Sequence, residues 1–389
     1  MFKTASAAPW TAARCVTLLS GQFLQSTVNL ERMEKTQTDF GRAQRRNGSD
    51  PVSPVGNAAP LALSYLTRAD FTAHQAKHKG RVLGAVAFGT QRPLLAVPHC
   101  PYAWVDMPVL NGETVFEVWT CAQPVVREDT AELASAHDEN ILFGCLQMKL
   151  DGQLDAASYL AYSRIFDFID NRGYGNLLRV WNYFPGINAD ADGLERYVRF
   201  NVGRHEAFTA KGRVIANDTP AACALGSRGS HLVVYFLAAK QAGLRVENPR
   251  QTSAFHYPAQ YGPRSPTFAR AMLLQSAANH MLFVSGTASI VGHETLHVGD
   301  APAQARETVA NLRAVLAQAQ LAGWNCPCGS DNLLLKAYLR HAHDLPMLRD
   351  CLLQAFGPST QVLYLQADIC RPNLLLEVEV AYLNAYGNA

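Results

Sequence analysis

The pentapeptide His293-Glu294-Thr295-Leu296-His297 has the residue types and spacing of a catalytic metal site. It matches H-E-x-x-H, in which two histidines bind zinc and the glutamate acts as a general base. That chemistry needs a helix, since in a strand the glutamate would point away from both histidines. Gly292 and Gly299 enclose the segment, and no third ligand follows at a metallopeptidase spacing. We therefore predict a strand or loop without a metal here.

A second candidate for chemistry is a pair of carboxylates in an apolar segment near the C-terminus. Glu377 and Glu379 interrupt the run Leu374–Tyr382, which otherwise has the composition of a central strand. In a half-buried strand, one face would meet solvent and the carboxylates would be ordinary surface groups. If the strand is buried, desolvation raises the pKa of the carboxyl group, and Glu377 can then serve as a general acid.

Several arginines lie where packing alone would favour apolar residues. Tyr197, Asn201 and Arg204 fall on one face of a predicted helix, and an arginine on an inward aromatic stripe is costly unless it is paired. Arg204 either forms a structural ion pair, extends to the surface, or presents its fork to a ligand carboxylate. Arg264 lies between two prolines, which suits a preorganised anion contact, although Arg264 and the nearby Arg270 could also be surface residues.

The elements that would position these residues begin at about Leu61. Strands are predicted at 81–89, 114–122 and 141–150, and a helix follows with Tyr159, Tyr162, Phe166 and Ile169 on its buried side. The last 110 or so residues predict a ββαβαββ unit, with two helices on one face of a mixed sheet. A long polar and aromatic loop precedes this unit, and such loops tend to be functional. The fold class is α+β.

Composition excludes several kinds of protein. The chain has 389 residues, a formal net charge of +2 and scattered basic residues, so we expect neither nucleic acid nor membrane as a partner. It has no apolar run long enough to span a bilayer. The nine cysteines are an odd number, which favours free thiols in a reducing cytoplasm. Cys326 and Cys328 lack a second pair at zinc-finger spacing. Residues 1–60 are polar, and we expect a disordered or loosely attached tail.

Four long segments, in order, resemble the chorismatases, bacterial enzymes that split chorismate into pyruvate and a ring product. They are RVWNYFPGIN, GLERYVRFNVGRHEAF, VENPRQTSAFHYPAQYGPRSPTFARA and FVSGTASIVGHETLHVGD. The resemblance covers about residues 62–387. It implies two Rid/YjgF-like (chorismate-mutase-like) domains, with helices packed on mixed β-sheets. The degenerate first domain would span 61–265, and the second, 266–389, would carry most of an active site between the domains.

The resemblance also implies roles for individual residues. Chorismate has two carboxylates and an enolpyruvyl ether, and the residues that match the family's substrate-binding segments are Tyr197, Arg204, Arg264 and Arg179. Glu377 matches the acid that protonates the enolpyruvyl methylene, a step that needs no metal or cofactor. Cys370, seven residues before the acid, resembles the hydroxybenzoate-forming subclasses and could take or relay a proton. Those subclasses also favour a glycine at the position of Gly286, where a flat ring can approach the backbone.

We therefore predict that the chain converts chorismate to pyruvate with 3-hydroxybenzoate, 4-hydroxybenzoate or both. The sequence of the GHETLH segment is more similar to the subclass that makes both products. One alternative is a hydrolytic chorismatase, which releases a dihydroxycyclohexadiene carboxylate. Others are a Rid-type imine deaminase, which would use an arginine near Arg371, a zinc peptidase, or a non-catalytic binding protein. We expect a monomer or a small homo-oligomer.

Overall fold

The computed structural model describes residues 61–94, 99–275, 280–324 and 333–383, all within one compact unit. The predicted tail, Cys15, Cys326 and Cys328 lie outside these ranges. The helices are α1 (Arg68–Lys77), α2 (Leu154–Asn171), α3 (Arg196–Ala210), α4 (Ile215–Asp218), α5 (Ala301–Leu321) and α6 (Leu345–Phe356). The strands are β1 (Leu61–Leu66), β2 (Val82–Gly89), β3 (Tyr102–Asp106), β4 (Val115–Cys121), β5 (Val126–Arg127), β6 (Ala134–His137), β7 (Ile141–Lys149), β8 (Asn176–Pro185), β9 (Asp190–Ala191), β10 (Leu194–Glu195), β11 (Ala221–Ser227), β12 (His231–Ala239), β13 (Leu244–Val246), β14 (Ala271–Gln275), β15 (His280–Thr287), β16 (Ile290–Val291), β17 (Glu294–Thr295), β18 (Leu333–Leu339), β19 (Gln361–Gln366) and β20 (Leu376–Leu383).

Two six-stranded sheets repeat one topology. Their strand orders are β11-β8-β12-β7-β6-β5 and β19-β18-β20-β15-β14-β13. In each copy three antiparallel strands lead into a helix, a strand, a second helix, a parallel strand and a last strand inserted at the centre. The predicted α+β class is therefore confirmed. The second copy differs from the predicted ββαβαββ order, because three strands of its sheet, β13, β14 and β15, precede its first helix.

The repeated topology has limits of its own. The second copy begins at β13 and the first copy begins at β5. A separate four-stranded sheet, ordered β1-β4-β2-β3, precedes the first copy. Residues 61–121 therefore lie outside the repeated topology, and the predicted domain ranges stay a prediction.

Helix boundaries follow from local sequence. The Asp300 side chain accepts a hydrogen bond from the Ala303 N–H at 2.9 Å and caps α5, whose first turn also holds Pro302. In α2, Tyr162, Phe166 and Ile169 are buried as predicted, whereas Tyr159 is 38% exposed. None of the helices that the structure describes is long and apolar enough to cross a membrane.

The two six-stranded sheets and the N-terminal sheet share one apolar core. Trp181 and Tyr235 from the first copy, Phe283 and Tyr338 from the second, and Trp119 from β4 all belong to it. The helices α5 and α6 cover the opposite face of the second copy. The helices α2 and α3 cover the outer face of the first copy in the same way, so each six-stranded sheet is covered on both faces.

Strand β20 lies inside this arrangement and is buried along its whole length. Leu376 and Val378 pack toward the helices, so Glu377 and Glu379 point into the shared core. The alternative that the carboxylates of this strand meet solvent is wrong, because β20 is central and both of its faces are covered.

Candidate active site

A cavity of about 250 Å³ lies between the two copies. Its walls come from α3 and β11 of the first copy and from β15, β20 and the 251–270 segment of the second. A space of this size suits a small organic molecule. The long loop predicted to be functional therefore does line a cavity.

Glu377 is the buried acid of this cavity and is 4% exposed. Desolvation raises the pKa of its carboxyl group to about 8, and this outweighs Arg179 and Arg270, which both lower it. The carboxyl group is therefore mostly protonated at neutral pH. A protonated carboxyl beside a ligand cavity can donate a proton to a bound molecule.

The thiol of Cys370 contacts this acid. Its Sγ donates to Glu377 Oε2 at 3.9 Å. Burial and the nearby carboxylate raise the pKa of the Cys370 thiol to about 12, so the sulfur stays protonated at neutral pH. The pair is thus a neutral acid next to a neutral thiol, and a nucleophilic thiolate is disfavoured.

Gly286 makes room for the acid. It lies in β15 where the register with β20 shifts between Val284 and Thr287. A Cβ atom on Gly286 would overlap Glu377 Oε1 and would lie 3.2 Å from the Cβ of Cys223. A glycine is therefore needed at position 286 because a side chain there would occupy the space of the Glu377 carboxyl group. The approach of a flat substrate ring to Gly286 stays a prediction.

Arg204 points into the cavity without a counter-ion. It is 2% exposed, its Nη2 donates to Asn201 Oδ1 at 3.0 Å, and its Nε has no partner among the described residues. No carboxylate of the described residues lies within ion-pair distance of it. The structural ion pair and the surface-extended side chain are both wrong for Arg204. Tyr197, two helical turns earlier on α3, lines the same wall.

Two further arginines line the cavity, and neither was among the predicted site residues. Arg270 Nη2 donates to Thr252 O at 2.7 Å and to Tyr257 Oη at 2.9 Å. Arg371 lies over the ring of Tyr261, with 4.2 Å from Cζ to the ring centre. No described carboxylate lies within ion-pair distance of either arginine, although the charge of Arg270 acts on the buried carboxyl group of Glu247. The apolar neighbours of Arg270 in FARAML were the available signal, since an arginine flanked by strand-forming apolar residues points to burial.

The segment that matches H-E-x-x-H is a hairpin, as the strand-or-loop prediction requires. Strand β16 pairs with β17 around Gly292, whose φ is +59°, and His297 has a φ of +57°. His293 contacts the Tyr261 hydroxyl, whereas His297 faces Glu307, so the two histidines have separate surroundings. Within the described ranges, no group of three His, Cys, Asp or Glu side chains is arranged to hold a metal.

This hairpin instead supports Arg371. Arg371 Nη1 donates to His293 O at 2.8 Å and to Thr295 Oγ1 at 3.2 Å. The contacts fix the guanidinium plane beside the cavity. The segment with the zinc-like spacing therefore orients a cation.

Two predicted residues lie away from the cavity wall. Arg264 is exposed, because the two prolines around it carry the chain over the surface. Arg179 is buried behind the wall, where it forms an ion pair with Glu379. The other five, listed here, line the cavity together: Tyr197, Arg204, Gly286, Cys370 and Glu377.

The six cysteines that the structure describes are free thiols, as predicted. Of these, Cys223 lines the cavity together with Cys370, and it lies next to Gly286. Burial raises the pKa of the Cys223 thiol.

Comparisons with known proteins agree on one family. A family model described as "Chorismatase FkbO/Hyg5-like, N-terminal" matches residues 117–238. The 3-hydroxybenzoate synthase of Streptomyces hygroscopicus is 36% identical over 308 residues, which cover 77% of this chain and 90% of that protein. A chorismatase of Streptomyces rapamycinicus is 38% identical over 288 residues, covering 72% and 86%. A chorismatase crystal structure matches with a TM-score of 0.77 and 31% identity, covering 84% of this chain and 99% of that one.

Proposed function

This chain belongs to the chorismatase family, and we propose that it cleaves chorismate to pyruvate and 3-hydroxybenzoate, 4-hydroxybenzoate or both. The observation that carries the proposal is the buried acid Glu377 in a cavity lined by arginines that form no ion pair with a described residue, and burial raises the pKa of Glu377 to about 8. A buried guanidinium without a counter-ion is costly, and an anionic ligand removes that cost.

Binding of the substrate follows from its charge. Chorismate carries two carboxylates, and Arg204, Arg270 and Arg371 are three cavity cations without ion pairs among the described residues. Guanidinium forks match carboxylates in a bidentate geometry. We assign the carboxylates to these arginines, with the Tyr197 hydroxyl as a further hydrogen-bond donor.

The chemical step begins at Glu377. Its proton goes to the methylene carbon of the enolpyruvyl ether, and a lone pair of the ether oxygen then stabilises the cation as an oxocarbenium ion. The bond between the ring carbon and the ether oxygen then breaks, its electron pair completes the pyruvate carbonyl, and pyruvate leaves a cation on the ring. Loss of a ring C–H proton, which returns to Glu377, gives 4-hydroxybenzoate directly, or 3-hydroxybenzoate when the neighbouring ring oxygen first shifts to the cationic carbon. The two products together contain all the atoms of chorismate, so no water is consumed.

Cys370 would act after protonation. Its neutral thiol adjoins the acid and can relay a proton while the ring rearranges. If water reaches the oxocarbenium ion first, the product is a dihydroxycyclohexadiene carboxylate, which is the hydrolytic alternative.

The test is incubation of the purified chain with chorismate in the presence of a chelator. Pyruvate is followed with a coupled dehydrogenase, and ring products are separated by chromatography and identified by their ultraviolet spectra. We expect pyruvate and hydroxybenzoate in equal amounts, at a rate that the chelator does not change. Absence of pyruvate release would contradict the proposed function, and a non-aromatic diene as ring product would favour the hydrolytic alternative.

A further inference from the structure

A cluster of four charged side chains lies in the shared core, behind the wall of the cavity. Arg179 pairs with Glu379, and Lys336 pairs with both Glu117 and Glu379. All four residues are at most 5% exposed. The cluster carries two positive and two negative formal charges, so it balances without Glu377.

Hydrogen bonds with aromatic residues hold the cluster in place. Trp181 Nε1 and Tyr338 Oη donate to Glu379 Oε1 at 3.1 and 2.9 Å, and Lys336 Nζ donates to Tyr235 Oη at 2.9 Å. A network of this kind fixes the positions of its charges. The Arg179 guanidinium is therefore a rigid charge whose position does not depend on a ligand.

Strand geometry brings this cluster next to the acid of the cavity. Glu377 and Glu379 are two residues apart on β20 and share the face that meets the first copy. On the facing sheet, Arg179 lies on β8 and Cys223 on the neighbouring β11, and the Cβ of Cys223 adjoins the Gly286 position beside Glu377. Arg179 uses Nη2 for Glu379, while its buried Nη1 has no partner among the described residues.

We propose that Arg179 is a positioning residue for the acid step: held by Glu379, it supplies a fixed positive charge that stabilises the carboxylate left on Glu377 once the proton has moved to the substrate. The proposal rests on the proposed function for the role of Glu377 as acid. It gives Arg179 a part in the reaction without contact with the substrate. Arg270 cannot fill this part alone, because it lines the cavity and its charge is available to the ligand.

Three groups around Glu377 are Cys370, Tyr197 on α3 and Cys223 on β11, and burial raises the pKa of each of them. Glu195 lines the same cavity, and its charge acts on the Cys370 thiol. The two cations that act on the carboxyl group are Arg179 and Arg270, and both lower its pKa. The contribution of Arg179 can therefore be isolated by changing that residue or its partner Glu379.

The experiment uses two variants with opposite expected effects. Arg179→Met removes the cation, so the pKa of Glu377 should rise by about one unit, the size expected for one nearby charge. Glu379→Gln removes the anion that neutralises Arg179, so the pKa of Glu377 should fall. Infrared difference titration of the protonated carboxyl stretch measures both pKa values in the free protein, and Glu377→Gln identifies the band. Arg213→Met, which breaks the remote pair with Asp170, is the matched control and should leave the band unchanged.

Turnover gives a second, independent readout. Arg179→Met should lower kcat for pyruvate release about tenfold or more, with the KM for chorismate changed less than about threefold, since Arg179 does not touch the ligand. The infrared titration needs no substrate, so it remains informative even if chorismate is not turned over. Failure of the proposed function and failure of this inference are therefore distinguishable.

The inference is overturned if the two variants fold and the Glu377 band titrates at the wild-type pH, or if both move it in the same direction. A purely structural cluster would give lower melting temperatures with an unmoved band. If Arg179→Met does not fold, Arg179→Gln takes its place and should raise the pKa of Glu377 in the same way, whereas titration at the wild-type pH would overturn the inference. Arg179→Lys keeps the charge and should keep the pKa of Glu377 within a few tenths of a unit, so a large shift with Lys would also contradict the inference.

Discussion

Cys370 Sγ lies 3.9 Å from Glu377 Oε2, and the two groups form a neutral pair in the free protein. The carboxyl group has a pKa of about 8 and the thiol a pKa of about 12, so the carboxyl group is the stronger acid. It is therefore the group that gives its proton to a bound substrate. The thiol can move a proton only when another base accepts one at the same time.

Replacement of the acid should abolish turnover. Glu377→Gln keeps the shape of the side chain but cannot deliver a proton, so pyruvate release from chorismate should fall about 10²–10⁴-fold. The matched control is Glu294→Gln, the exposed glutamate of the H-E-x-x-H segment, which should retain wild-type activity. Loss of activity in Glu294→Gln alone would restore the metal-site hypothesis.

The rate should depend on pH through the same group. Burial raises the pKa of Glu377 to about 8, so the active, protonated form dominates below that pH and is lost above it. We expect kcat/KM to be level on the acid side and to fall above about pH 8, because this parameter reports the free enzyme. A rise in kcat/KM through this region would mean that Glu377 acts as a base.

Cys370 should control the ring product more than the rate. Cys370→Ala leaves the acid in place, so pyruvate release should stay within about tenfold of wild type. Without the thiol relay, the ring product should shift from hydroxybenzoate toward the diene diol, as measured by chromatography. Cys351→Ala, on the outer helix α6, is the control. Unchanged ring products in Cys370→Ala would remove the thiol from the mechanism.

An added methyl group at Gly286 should displace the acid. Gly286→Ala puts a Cβ where Glu377 Oε1 lies, and the flexible end of the glutamate can rotate away. We expect kcat to fall about tenfold, as for other small misplacements of catalytic groups, with little change in melting temperature. Gly112→Ala, where a Cβ meets nothing closer than 3.8 Å, is the control. Wild-type kinetics with Gly286→Ala would contradict the fit described for Gly286 and Glu377.

The arginines of one segment should differ in effect. Arg270→Lys loses the bidentate fork inside the cavity, so the KM for chorismate should rise about tenfold or more. Arg264→Lys alters an exposed residue and should have the smaller effect. Steady-state assays of both variants test whether Arg270, as the structure indicates, or Arg264, as the sequence predicts, binds the substrate. A larger rise in KM for Arg264→Lys would support the prediction made from the sequence.

Strand β11 illustrates what the sequence could not reveal. Its residues AACALGS include few strand formers, so no strand was predicted there. In the structure β11 pairs in parallel with β8 and lends Ala222, Cys223 and Ala224 to the cavity wall. Small side chains weaken the local signal for a strand, and here the same small side chains leave space for a ligand.

The sequence by itself determined what depends on local pattern. Alternation in LEVEVAYL put both carboxylates on one strand face, and helical spacing put Tyr197 and Arg204 on one stripe. Only the tertiary structure decided which charges face the cavity, because that depends on contacts between segments far apart in the chain. Arg270 lies inside, Arg264 outside, and Arg179 behind the wall with Glu379, 200 residues away. The contact of Gly286 with Glu377 also depends on the pairing of distant segments. So do the hydrogen bonds by which the GHETLH segment holds Arg371.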